Sequence, residues 1–198
     1  MLFRSLGDSY TIGQSVNTTD RFPAQTAQLL LNDSLKPGNL QYIATTGWTT
    51  ANLLSAIATQ NPTPTYDIVT LLIGVNDQYQ GVDTATYRTH FIQCLQNAVQ
   101  LAANLPSHVF VLSIPDYSAT PFVPASDKAR VSMEIDWFNA INKQVTLQDH
   151  IAYIDITPIS RNAATDPSLT TYDNLHPSAK QYGLWSQILA PQIKNALK

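Results

Sequence analysis

Cysteine is nearly absent from this chain: Cys94 is the only one in 198 residues. A single cysteine excludes an internal disulfide and any thiolate metal cluster. It is expected on a buried helix face, as a small apolar residue. Charge is scarce too. Asp, Glu, Lys and Arg make up 13% of the chain against 44% hydrophobic residues, so the surface must lean on Gln, Asn, Thr and Ser. A net charge of −3 argues against a nucleic-acid partner, which usually requires a basic face. No stretch approaches the roughly 20 apolar residues of a membrane span, and no basic amphipathic segment suggests a surface anchor. The chain also has no His-Glu-x-x-His motif, no carboxylate cluster and no Gly-rich phosphate loop, so neither a metal nor a nucleotide cofactor is expected. Repeats and low-complexity segments are missing.

What is present fits one domain over residues 1–198, long enough for a full hydrophobic core. Met1 precedes the first apolar run by one residue, leaving no room for a signal peptide. Low lysine with abundant Thr, Gln and Asn points to an exported, periplasmic or secreted protein that has lost such a peptide. The lack of disulfides fits the cytosol equally. Oligomeric state leaves no signal.

Apolar runs alternate with helical patterns along the chain. Strands are expected at 2–6, 40–44, 66–73, 109–114 and 151–156, and helices at about 20–31, 48–60, 84–105, 127–149 and 178–198. Segment 68–73 has no polar alternation, as expected of a central strand buried on both faces. In 84–105, Phe91, Leu95, Ala98, Ala102 and Leu105 recur at the spacing of one helical face. Asn61-Pro62-Thr63-Pro64 should break the helix before the third strand. Residues 115–126, with three prolines, read as an ordered loop, and 157–175 as irregular. The pattern predicts an α/β fold: a three-layer α/β/α sandwich around a five-stranded parallel sheet. By analogy with other small doubly wound folds, the strand order is 2-1-3-4-5.

Sites in such folds lie at the carboxyl ends of the strands. Gly7-Asp8-Ser9-Tyr10 follows the first strand, Gly47 the second and Gly74-Val75-Asn76-Asp77 the third. Taken alone, Gly-Asp-Ser is ordinary turn chemistry; Ser9 becomes a candidate nucleophile only with a base and an orienting acid. His90, His108 and His150 lie where surface roles suffice. His176 precedes the last helix, with Asp173 three residues earlier. In a tight turn Asp173 can hold His176 Nδ1–H and leave Nε2 free to take a proton from Ser9. The same pair can equally brace a loop. The Gly47 N–H, the Asn76 amide and the Ser9 N–H are candidate oxyanion donors, although Gly74-Val75-Asn76-Asp77 also reads as a plain strand-ending turn.

With these blocks in order over nearly the whole chain, the sequence resembles the SGNH, or GDSL-type, hydrolase family. The resemblance implies a flavodoxin-like hydrolase fold and carboxylic ester hydrolysis without a cofactor. It implies Ser9 as nucleophile, His176 as base, Asp173 as orienting acid, and Ser9 N–H, Gly47 N–H and Asn76 as the oxyanion hole. Tyr10 replaces the leucine of the family's name. Asn174 stands where glycine is common, and Asn is the next best residue for a left-handed backbone. Asp8 and Asp77 are expected to hold their turns through backbone hydrogen bonds rather than act as acids.

The expected partner is a small-molecule ester. Tyr10, Trp48, Tyr79 and Phe122 are candidate substrate-binding residues, while Tyr117 and Tyr172 are expected to pack the loops. Loop 115–126 is the candidate rim limiting acyl length. The favoured reading is a small-acyl esterase acting on an acetylated carbohydrate. A lysophospholipase or thioesterase for longer acyl chains is the close alternative, and a non-catalytic binding module is the alternative of another class.

Overall fold

The computed structural model describes residues 1–32, 35–63 and 66–197. Its apolar runs pair as five parallel strands: β1 (Phe3–Gly7), β2 (Leu40–Ala44), β3 (Ile68–Leu72), β4 (Val109–Leu112) and β5 (Ala152–Ile154). Their order is β2-β1-β3-β4-β5, as expected. Every residue of β1, β3 and β4 is buried. Two polar side chains of β1 find partners inside. Arg4 donates to Gln41 Oε1 at 2.6 Å and to the Tyr66 hydroxyl, and its guanidinium lies 4.5 Å over the Tyr66 ring. Thr70 of β3 donates to Ser5 Oγ at 2.9 Å.

The helices are α1 (Ser9–Ile12), α2 (Phe22–Asn32), α3 (Thr50–Gln60), α4 (Val75–Tyr79), α5 (Thr84–Leu101), α6 (Lys128–Gln148), α7 (Thr157–Arg161) and α8 (Ala179–Ala196). The step from β1 to β2 runs opposite to the later steps across the sheet. Right-handed crossovers therefore put α2 on one face and α3, α5 and α6 on the other. Helix α8 returns to pack on α2, where Trp185 meets Phe22, Tyr182 and Tyr10. Opposite, Tyr87 packs against Phe91 and Phe138. Cys94 is buried on α5, and burial pushes its thiol far up.

Starts of helices follow local chemistry. Thr49 and Asn52 form a capping box on α3, Asp83 caps α5 through the Ala85 and Thr86 N–H groups, and Ser178 caps α8. Pro23 lies in the first turn of α2, where its missing N–H costs nothing.

Four expectations are corrected. Helix α5 stops at Leu101 rather than 105, because Ala103 and Asn104 adopt left-handed backbone (φ 55 and 62) and leave Leu105 exposed. Segment 74–77, which also reads as a plain strand-ending turn, instead opens helix α4, with Asp77 in its first turn, where a carboxylate suits the helix dipole. The irregular 157–175 segment contains α7. Strands β3, β4 and β5 are shorter than their apolar runs, since Ile73, Ile114 and Ile156 continue the core beyond the sheet pairing. Pro64 of the expected helix break and Lys198 of the expected last helix lie outside the described residues.

Leu71 is fully buried at the centre of the sheet, paired with Leu6 and Val111. Leu71→Ala is expected to cost about 2–5 kcal/mol, read as a lowered urea midpoint with an unchanged m-value.

Candidate active site

The turn after β1 is built around close approach rather than an unusual dihedral. A Cβ on Gly7 would come within 2.2 Å of both the Leu72 carbonyl oxygen and Thr11 Oγ1. Only glycine lets the chain leave β1 so tightly against the end of β3. Asp8 then caps α1, its Oδ1 accepting the Tyr10 N–H at 2.9 Å. Ser9 is the first residue of α1, so its N–H has no carbonyl within the helix to receive it.

Gly47, in the turn after β2, has φ 84 and open space where a Cβ would stand. Here it is the left-handed backbone that favours glycine. Thr46 Oγ1 donates to Gln14 Oε1 at 2.7 Å and ties this turn to the loop after Ser9. Neither the Ser9 N–H nor the Gly47 N–H has a protein acceptor among the described residues. Asn76, in the first turn of α4, donates from Nδ2 to the Trp48 carbonyl at 2.9 Å. That bond orients the amide and leaves its second hydrogen unengaged.

The segment before α8 folds around Asp173. Oδ1 accepts from Thr171 Oγ1 at 2.7 Å and from the Leu175 and His176 N–H groups at 2.9 Å each. Oδ2 accepts from Ser15 Oγ at 2.6 Å and lies 2.8 Å from His176 Nδ1. Partial burial pushes the Asp173 carboxyl up. The bonds from Ser15, His176 and Thr171 outweigh it and hold the group well below the usual carboxylate range. Asn174 adopts the expected left-handed conformation, φ 60. The His176 ring is buried, 5.8 Å from the Tyr10 ring, and its Nε2 has no protein partner among the described residues.

Ser9, Gly47, Asn76 and His176 line one cavity of about 170 Å³. No hydrogen bond joins Ser9 to His176 across it. Tyr10, Tyr79 and Phe122 line it as expected. Tyr117 lines it as well, its hydroxyl donating to Gln78 Oε1 at 2.8 Å, so it does more than pack a loop. Trp48 is corrected: it does not line the cavity and packs against the core, since the turn aims its carbonyl rather than its ring at Asn76. Tyr172 is 85% exposed and packs no loop. Asp8 holds its own turn, but Asp77 does not; its carboxylate takes the N–H and hydroxyl of Thr50 and anchors α3.

Ser15, Thr171, Val75 and Leu175 escaped the sequence reading. Thr171, two residues before an Asp, carries a weak turn signal; Ser15, at φ 68, carries none. Loop 115–126 is pinned at its base. The buried Asp116 carboxylate accepts from Ser118 N, Ser132 Oγ and Arg161 Nε, and Lys128 Nζ reaches the Thr120 carbonyl. Among the described residues, no group of three or more His, Cys, Asp or Glu is placed to hold a metal ion. None of the described helices is long and apolar enough to cross a membrane.

A doubly wound sheet with a Ser, His and Asp gathered beyond its carboxyl edge defines a class of α/β hydrolytic enzymes. The sequence matches the GDSL-like lipase/acylhydrolase family over residues 5–184. The chain belongs to that family and is a carboxylic ester hydrolase. No curated protein matches it in sequence. Among solved structures it is similar to TesA, with 18% identity over 99% of each chain and a TM-score of 0.77. It is similar to the psychrotrophic esterase EstA from Pseudoalteromonas sp., with 16% identity over 98% of this chain and 97% of that one, TM-score 0.70. An acetyl xylan esterase from Geobacillus stearothermophilus matches at 16% identity over 97% of this chain and 94% of its own, TM-score 0.66. At these identities the likeness is one of fold.

The Asp8 carboxyl is fully buried, with Oδ2 unpartnered. Burial, opposed by the Tyr10 N–H and reinforced by the nearby Asp77 carboxylate, pushes it up from 3.8 to about 8. The folded state therefore keeps a proton that the unfolded chain releases. The associated stability is fully present below pH 3.8 and is lost as the pH rises through about 8. Asp8→Asn, which cannot ionise, is expected to flatten that decline, and thermal melts from pH 4 to pH 9 check it.

Proposed function

We propose that the chain hydrolyses small-acyl esters by two-step acyl transfer, with Ser9 as nucleophile. The observation that carries this reading is the 2.8 Å contact of His176 Nδ1 with Asp173 on the cavity that Ser9 also lines. Ser9 Oγ attacks the ester carbonyl as His176 Nε2 takes its proton. Asp173, kept ionised by its bonds, holds the ring by Nδ1–H and stabilises the imidazolium. The carbonyl oxygen, now negative, is met by the Ser9 N–H, the Gly47 N–H and the free hydrogen of the Asn76 amide. Collapse breaks the bond to the alcohol oxygen, which leaves with the proton from His176. Water then repeats the sequence on the acyl-enzyme: His176 takes its proton, the acid departs, and Ser9 regains its hydrogen.

The preference for short acyl groups rests on cavity size. About 170 Å³ lies below the roughly 300 Å³ at which pockets for drug-sized ligands begin. Tyr79, Tyr117 and Phe122 line it as a cluster of rings in mutual contact, Tyr79 edge to face with Tyr117. An acetyl group on a carbohydrate is the natural candidate, and the fold it shares with an acetyl xylan esterase is in keeping with that.

Ser9→Ala is expected to lower kcat/KM for p-nitrophenyl acetate by about 10⁴-fold or more; equal rates would sink Ser9 as nucleophile. Asn76→Ala should lower kcat by about 10²–10³-fold, with KM changed far less. Across p-nitrophenyl esters from acetyl to palmitoyl, kcat/KM should peak at acetyl to butyryl. A maximum at the long chains would replace the small-acyl reading with the lysophospholipase or thioesterase one.

A further inference from the structure

Beside the catalytic cavity lies a larger one of about 570 Å³, and the two share Tyr79, Tyr117 and Phe122 as walls. Its far side is α6, which turns Arg130, Glu134 and Trp137 toward it at the spacing of one helical face. Trp137 is 52% exposed, whereas Trp185 is fully buried in the core. An indole left open on a cavity that mixes aromatic walls with charged groups needs a reason.

The polar groups around that ring are held in place before any ligand arrives. Tyr117 donates to Gln78 Oε1 at 2.8 Å, and Gln78 Nε2 donates to Glu134 Oε2 at 2.6 Å. Glu134 is the chain's only glutamate. It pairs with Arg130 at 3.1 Å, and Arg130 also reaches Asp127 at 3.5 Å. The result is a fixed row of donors and acceptors facing flat aromatic surface. An alkyl chain entering here would strip water from Arg130, Asp127 and Glu134 and return no hydrogen bond. A hydroxyl-rich ring replaces those waters with its own hydroxyls and lays its C–H face on an aromatic ring.

The position of the cavity also matters. Phe122, in the shared wall, donates its N–H to the Asn174 carbonyl at 3.1 Å, two residues before His176. The wall between the two cavities is thus tied to the loop that carries His176. We propose that this cavity is the alcohol subsite of the enzyme and takes a glycosyl group, stacked on Trp137 and hydrogen-bonded to the Arg130–Glu134 pair. The inference rests on the ester-hydrolase reading above and specifies its substrate class: short acyl esters of carbohydrates, sugar in the larger cavity and acyl group in the smaller.

The test compares wild type, Trp137→Ala and Trp137→Phe on ethyl acetate, ethyl decanoate and an acetylated disaccharide such as acetylated xylobiose, the ethyl leaving group being too short to stack on Trp137. Trp137→Ala should raise KM for the acetylated disaccharide about tenfold, with kcat little changed and kcat/KM for ethyl acetate within about twofold. Trp137→Phe should restore most of the loss. Equal losses on all substrates, or no change on the disaccharide, would overturn the proposal. So would a loss confined to the decanoate, which would make the cavity an acyl site. A binding arm is independent of the chemistry: Ser9→Ala protein titrated with xylobiose should change its tryptophan fluorescence, and the Ser9→Ala, Trp137→Ala protein should not. No change in either protein also counts against the subsite. Failure of the ester-hydrolase reading would instead appear as p-nitrophenyl acetate turnover indifferent to Ser9→Ala.

Discussion

A carboxylate drawn partly out of water must be surrounded by donors or give up its charge, and Asp173 is surrounded. Its two oxygens collect Thr171, Leu175, His176 and Ser15. Three of those partners are local and shape the turn that aims His176. The fourth, Ser15, comes from the loop beyond Ser9, 158 residues earlier. A single carboxylate thereby joins the beginning of the chain to its end at the edge of the sheet. That junction depends on the rest of the fold, since Ser15 reaches Asp173 only because α2 and α8 pack on one face behind it. Tyr10 and Trp185 complete the link, with the Tyr10 ring placed between His176 and the core.

The same sheet edge explains why so much was legible. Strand order and the placement of Ser9, Gly47, Asn76, Asp173 and His176 follow from alternating apolar runs and from residue types that acyl chemistry requires at strand ends. What escaped the reading depends on backbone direction, which leaves little trace in composition. Gly7 looked like a residue chosen for a turn; its real constraint is the Leu72 carbonyl of a strand some 60 residues away. Trp48 stands next to Gly47 in sequence, yet its ring turns to the core. The apolar spacing of α5 continues past its end, because a left-handed pair at Ala103 and Asn104 reverses the chain without disturbing the rhythm of side chains. Ser15 is invisible for a similar reason: its value lies in one distant contact.

The two neighbouring cavities differ in the polarity of their linings. The smaller cavity is nearly all apolar apart from the groups that face the reacting carbonyl. The larger adds Asp127, Arg130 and Glu134, paired with one another, to its aromatic and aliphatic walls. Gln78 stands at the division, buried, with the Tyr117 hydroxyl on one side and Glu134 on the other. It belongs to the same short helix as Asn76, so the wall between the cavities and the amide beside Ser9 are parts of one rigid turn of chain.

The anchoring of loop 115–126 has a consequence for how substrate enters. Asp116, gripped by Arg161 and Ser132, and Lys128, bound to the Thr120 carbonyl, leave this rim little slack. The ordering entropy that a mobile flap loses on each binding event has here been lost at folding. The loop takes its shape from contacts made when the chain folds, with none left for a ligand to supply at its base.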